Sequence, residues 1–180
     1  MKIWDLATAA RLYTLSEPTD AVQTVAFRPS RTGATTSSGT ILSAAGNDKT
    51  IRTWTLTPQG GTLLRSVLAH NAPILHIAYS PDGRQLASTA SDRTVKIWNA
   101  DTGAEVRTLE RQPDWSQALA WSPDGAHLAV GRYDGTVGIY DIASGRRIAD
   151  PIAPIAAPPS PSSSIKARKS DLPLIRETRP

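Results

Sequence analysis

The chain of 180 residues contains no cysteine, which excludes disulfides, thiolate metal centres and a cysteine nucleophile. It also lacks any run of about 18 apolar residues that could span a bilayer. The opening MKIWDLATAA has none of the basic-then-apolar order of a secretory signal, so a soluble, cytoplasmic protein is expected. Histidine is scarce, and His70, His76 and His127 do not form a metal-ligand spacing. There is no H-E-x-x-H, no P-loop, no G-x-S-x-G elbow and no G-x-G-x-x-G after a strand. Neither a metal nor another cofactor is expected. Phe and Met occur once each, whereas Pro 14, Gly 12 and Trp 5 are plentiful. Such a composition is turn-rich, and tryptophan has a repeated structural role in it.

What is present divides in two. With 39% hydrophobic and 20% charged residues the chain can bury a core. The net charge of +4 lies mostly in the last thirty residues, where Lys166, Arg168, Lys169, Arg176 and Arg179 face only Asp171 and Glu177. That stretch, PIAPIAAPPSPSSSIKARKSDLPLIRETRP, is dominated by Pro and Ser and has no apolar periodicity. It is expected to be a disordered tail spanning 151–180, with a loosely associated tail preferred over the alternative that DLPLI is a short docking segment.

Before the tail, internal repetition is the main signal. An aspartate stands six residues before an aromatic three times: Asp48 and Trp54, Asp92 and Trp98, Asp134 and Tyr140. Phe27, Tyr79 and Trp121 each end an alternating apolar run, AVQTVAF, PILHIAY and WSQALAW. Tyr79 to Trp121 and Trp98 to Tyr140 are both offsets of 42, while Phe27 to Tyr79 is 52. The excess of ten resolves into eight extra residues in RPSRTGATTSSGT and two in TLTPQGG. Period-two runs separated by Gly, Pro, Asp and Asn predict one small antiparallel sheet per unit. In the middle unit the strands are predicted near Pro73–Tyr79, Arg84–Ala90, Thr94–Trp98 and Ala104–Glu110. The SPDG at Ser80 and Ser122 reads as a hairpin turn, with Pro presetting φ, Asp tolerating the bend and Gly accepting positive φ.

SPDGRQLASTASDRTVKIW resembles the WD40 repeat family of β-propellers, and the resemblance extends from Lys2 to about Asp150. It implies an all-β fold of four-stranded antiparallel blades in an incomplete ring. MKIWDLATAARLYTL matches VKIWNADTGAEVRTL, so residues 1–16 read as a half blade, followed by blades at 17–68, 69–110 and 111–150. Closed propellers use about 4 to 8 blades. Three and a half imply either a fragment of a longer protein, the reading adopted, or a short chain completed by self-association or another propeller segment.

The resemblance further implies a buried hydrogen-bond network of His70, Ser88, Asp92 and Trp98, which argues against reading Ser88, His70 and Asp92 as catalytic. The neighbouring units keep partial networks, Asp48 and Trp54 in one, Asp134 and Tyr140 in the other. Pro18 and Ala44, then Gln112 and Val130, occupy their histidine and serine positions. Those units are expected to rely on apolar packing. The family's binding function implies a partner face bearing Lys49, Arg93, Arg132 and Tyr133 from the turns, with Asp114 and Trp115 from a loop. On the alternative reading, Lys49 and Arg93 are solvated turn residues and Trp115 packs between blades. The expected function is a noncatalytic protein-protein interaction scaffold. The alternative is a regulatory or sensory propeller within a larger enzyme. Nucleic-acid binding through the tail ranks last, because +3 over thirty residues without an aromatic platform is weak.

Overall fold

A computed structural model describes residues 1–30 and 39–152. Most of the insertion after Phe27 and nearly all of the tail, DLPLI included, lie outside the described residues. Within them every regular element is a strand. Among the described residues no helix is long and apolar enough to cross a membrane.

Strands β1 (Lys2–Trp4) and β2 (Arg11–Thr14) form a two-stranded sheet. The first full sheet comprises β3 (Val22–Phe27), β4 (Thr40–Gly46), β5 (Thr50–Thr57) and β6 (Gly60–Leu68). The second comprises β7 (Ile74–Tyr79), β8 (Gln85–Ala90), β9 (Val95–Asn99) and β10 (Glu105–Thr108). The third comprises β11 (Ser116–Trp121), β12 (His127–Arg132), β13 (Val137–Asp141) and β14 (Arg147–Ile152). Each is an antiparallel meander in chain order, and the stack does not close into a ring. β14 runs two residues past the expected start of the tail, placing Pro151 on an outer edge strand, where proline's missing N–H is tolerated.

The registers coincide in all three sheets. Rows of aromatic, leucine and aromatic run across three strands as Phe27, Leu42, Trp54, then Tyr79, Leu86, Trp98, then Trp121, Leu128, Tyr140. Each SPDG closes as a turn, with Gly83 N–H donating to the Ser80 carbonyl at 2.8 Å and Gly125 N–H to Ser122 at 2.9 Å. Both glycines sit at positive φ, +66° and +72°, where a β-carbon would be strained.

The core lies between sheets. Leu42, Ala44, Trp54 and Leu56 of the first sheet pack with Leu15 against Met1, Ile3 and Tyr13. Ala45 and Ile51 meet Ile74, Ile77, Leu86 and Trp98 of the second. Ala87, Val95, Ile97 and Leu109 meet Leu119, Leu128, Val130 and Tyr140 of the third. A sheet covered on both faces should lose its alternation of burial. β8, between two neighbours, is buried at every position from Leu86 to Ala90, whereas β12 alternates strictly.

Candidate functional site

In an antiparallel meander alternate connections fall on the same rim. The turns β4–β5, β8–β9 and β12–β13 therefore share one rim with the loops entering β3, β7 and β11. Each of these turns carries the same triplet, Asp48-Lys49-Thr50, Asp92-Arg93-Thr94 and Asp134-Gly135-Thr136. In each, the Thr hydroxyl donates to the Asp Oδ1, at 2.7, 2.5 and 2.6 Å, and the Thr N–H donates to the same oxygen. The middle residue is left-handed, with φ of 64° at Lys49, 65° at Arg93 and 82° at Gly135.

In the second sheet His70 Nε2 lies 2.7 Å from Ser88 Oγ, and Trp98 Nε1 donates to that oxygen at 2.8 Å. Asp92 does not touch the imidazole: its Oδ1 is 3.7 Å from His70 Nδ1, and Thr94 Oγ1, 2.8 Å from Nδ1, bridges them. The proton directions follow. Thr94 spends its hydrogen on Asp92, so it accepts from His70 Nδ1–H; Nε2 is then the acceptor and Ser88 donates to it. One directed chain runs from the indole through hydroxyl and imidazole to the carboxylate. Burial pulls the His70 pKa from 6.5 down to about 4, outweighing the nearby Asp92 charge. Ser88 is wholly buried, and its hydroxyl is committed at both ends. That leaves no room for an attacked carbonyl.

The flanking sheets do not rely on apolar packing alone, contrary to expectation. In the first, Asp48 receives Arg52 and Thr50 from its own sheet and Thr19 N–H and hydroxyl from the entering loop. Burial opposes ionisation there, but these donors hold the Asp48 carboxyl well below the usual range. Trp54 Nε1, with no serine to meet, donates to Glu17 Oε2 at 3.3 Å.

In the third sheet the organising residue is Arg132, expected on the partner face. It is only 7% exposed, because histidine and serine are both missing there and its guanidinium fills the space. Nε donates to Gln112 Oε1 at 3.0 Å, Nη1 to Thr136 Oγ1 at 3.0 Å and Nη2 to Tyr140 OH at 3.2 Å. Room for it comes from Gly138, where an added β-carbon would lie 2.3 Å from Arg132 Nη2. Asp134 remains exposed. The loop N–H that Asp92 receives from Asn71 at 3.2 Å has its counterpart at Pro113, which has none to give.

The other rim residues divide. Trp115 and Tyr133 are 48% and 69% exposed, their ring centroids 6.4 Å apart and tilted 54°. Tyr133 N–H donates to the Trp115 carbonyl at 2.8 Å, so Trp115 stands at the rim and does not fill a space between sheets. Asp114 Oδ1 caps the Trp115 N–H at 2.8 Å, and Arg93 donates to the Pro113 carbonyl at 3.2 Å. Lys49 is exposed on the first sheet's turn. Thr94, Thr136 and Glu17 are not among the residues that the sequence reading names, although the recurring D-x-T triplet is legible there.

Repeated four-stranded meanders stacked face to face, each pinned by an aspartate turn and an aromatic row, define a β-propeller stack whose variable chemistry lies on its rims. The chain belongs to the WD40 repeat family. The model for the WD domain, G-beta repeat, matches residues 9–55 and 61–99. That for the anaphase-promoting complex subunit 4 WD40 domain matches 115–153. Among similar proteins, WD repeat and SOCS box-containing protein 1 of Homo sapiens is 32% identical over 101 residues, which is 56% of this chain and 22% of that protein. Nuclear distribution protein PAC1 of Arthroderma benhamiae is 33% identical over 100 residues, 55% of this chain and 21% of that protein. The matched stretch thus spans about a fifth of these relatives' length. WD40 repeats generally serve protein-protein interaction and are generally noncatalytic scaffolds.

Proposed function

We propose that this chain is a noncatalytic scaffold that binds a protein partner on the rim of the D-x-T turns, with Trp115 and Tyr133 as anchors. The observation that carries the reading is this exposed aromatic pair, held by backbone bonds at the junction of a turn and a loop. Large rigid rings lose little freedom on binding and contribute apolar area, which is why Trp and Tyr dominate interface energetics. Arg93 and Asp114 flank the pair with opposite charges, and Lys49 extends the rim onto the first sheet. The noncatalytic part draws support from the burial and double commitment of Ser88. A photocrosslinking residue at Tyr133, compared with one at exposed Leu64, should capture one partner in the native host. Trp115→Ala should then weaken that purified partner at least about 30-fold, as a central anchor does. Equal capture at both positions, or unchanged affinity, would sink the proposal.

A second reading, a seat for another propeller segment or a second copy, has its own observation on the far face of the third sheet. Ala87, Val95 and Ile97 are buried under the third sheet, at 0, 0 and 1% exposure. Their counterparts 42 residues on, Ala129, Val137 and Ile139, are just as apolar yet only half-buried. A further blade-like sheet would cover them. Light scattering should show mass rising with concentration and Ile139→Lys abolishing the rise; a constant monomer mass removes this reading. The idea of a regulatory portion of a larger multidomain protein draws on the relative whose name joins WD repeats to a SOCS box.

A further inference from the structure

The rim opposite the D-x-T turns repeats its contacts from one interface to the next, with one side chain missing. Between the first and second sheets Arg28, just after β3, lies across the gap. Its Nε donates to the Gly83 carbonyl and its Nη2 to Asp101 Oδ1, both at 2.6 Å. Arg65 of β6 closes the outer side by donating to the Asp101 carbonyl.

Between the second and third sheets the offset of 42 carries Gly83 to Gly125 and Asp101 to Ala143. Arg107 of β10 takes the place of Arg65, donating to the carbonyls of Ser144 and Ala143 at 3.0 Å each. The counterpart of Arg28 is Ser80, since both follow the last aromatic of an inner strand, Phe27 or Tyr79. Ser80 turns back into its own hairpin, donating to Asp82 and accepting from Gln85 N–H. From the position of Arg28 no long side chain crosses, and a cleft of about 480 Å³ remains, lined by Ser80, Val106, Asp124, Gly125 and Asp141 among others. That volume suits a ligand group.

We propose that this cleft binds an arginine side chain presented by a partner protein segment, seated as Arg28 is seated in the neighbouring interface. Gly125 offers the carbonyl position that Gly83 offers to Arg28. In place of Asp101 the wall supplies Asp124 and Asp141, whose hydrogen bonds from Ser122, Ala126 and Ser144 all run to Oδ1. Those hydrogen bonds hold both carboxyls below their usual range, so they stay ionised. Of the two cations lining the cleft, Arg107 is committed to carbonyls and Arg84 lies 3.8 Å from Asp82. The remaining balance is anionic. A planar fork meets a carbonyl and a carboxylate together, which a lysine ammonium does less well. The site is on the rim opposite Trp115 and stands or falls independently of that face.

The probe is a capped Gly-Arg-Gly peptide titrated into the full chain and followed by amide chemical shifts. Saturable shifts are expected at Gly125, Asp141 and Ala143, and a citrulline peptide should bind at least about tenfold more weakly, because it lacks the charge. Ser80→Arg should plug the cleft and abolish these shifts. Val106 is 54% exposed on β10, so it tolerates change. Val106→Glu should tighten and Val106→Lys weaken the peptide about two- to fivefold each, as near-surface charges do. That pair decides between the outcomes if Ser80→Arg fails to fold. Equal binding of citrulline, or affinity indifferent to the sign at position 106, overturns the proposal. A rise in affinity when Arg168, Arg176 and Arg179 are all changed to Gln would mean the chain's own tail competes, and overturns the assignment to a partner.

Discussion

Behind its D-x-T turn the second sheet holds an imidazole, a hydroxyl and an indole, all neutral and linked in one direction from Trp98 to Asp92. In the third sheet the same place holds a guanidinium, an amide and a phenol, with Arg132 donating outward to Gln112, Thr136 and Tyr140. One network holds an imidazole that acid can protonate, the other a guanidinium hub, yet both reach the threonine of the turn. The turn is therefore the fixed element, and what connects it to the aromatic row is replaceable as long as every buried polar group finds a partner.

The largest contrast should come from removing the hubs. Arg132→Met takes three donors from the cluster, leaving Tyr140 bonded to Gln112 and Glu110, and should cost about 3 kcal/mol, several hydrogen bonds less the regained hydration of the charge. Urea unfolding measures it, and a loss under about 1 kcal/mol would mean that the existing bond from Tyr140 to Gln112 holds the cluster without the guanidinium. Ser88→Ala leaves the Trp98 and His70 nitrogens facing each other and should cost about 2 kcal/mol. The reciprocal Val130→Ser restores nothing, because no histidine waits for it, and should destabilise by a similar amount.

Acid should separate the two sheets. The folded pKa of His70, about 4, lies below the unfolded 6.5, so its contribution is fully present above pH 6.5 and is lost as pH falls toward 4. Between pH 7 and pH 5 the loss should be about 2 kcal/mol. The burial of His76 depresses its pKa in the same direction, so the measurement belongs in a His76→Gln background. Amide exchange should accelerate in β8 and β9 before β12 and β13; uniform acceleration would remove the contrast.

The smallest effect concerns the left-handed turn position. Gly135→Arg should cost about 1 kcal/mol, and Arg93→Gly should gain a fraction of that. A gain in stability together with weaker partner binding would show Arg93 retained for the rim and not for the fold.

Much of the architecture is legible in the sequence because it repeats. The offset of 42, the aromatic rows and the SPDG turns each predict a strand or turn that the sheets contain. His70, Ser88, Asp92 and Trp98 are named by family resemblance, whereas Thr94, which stands between Asp92 and the imidazole, is not. Arg132 is misplaced for a physical reason. An arginine's burial depends on the space around it, and that space is made by Gly138, Val130 and Gln112, which become neighbours only across strands and a loop. The cleft at Ser80 is equally hidden, since it is defined by a side chain that is not there.

The tight approach of Gly138 to Arg132 also bears on history. A blade of the second type could not become one of the third by taking up Arg132 first, because any side chain at 138 would occupy the guanidinium's place. Position 138 must empty before 132 fills. Once the arginine is in, the glycine is held, so position 138 stays empty for as long as 132 is filled.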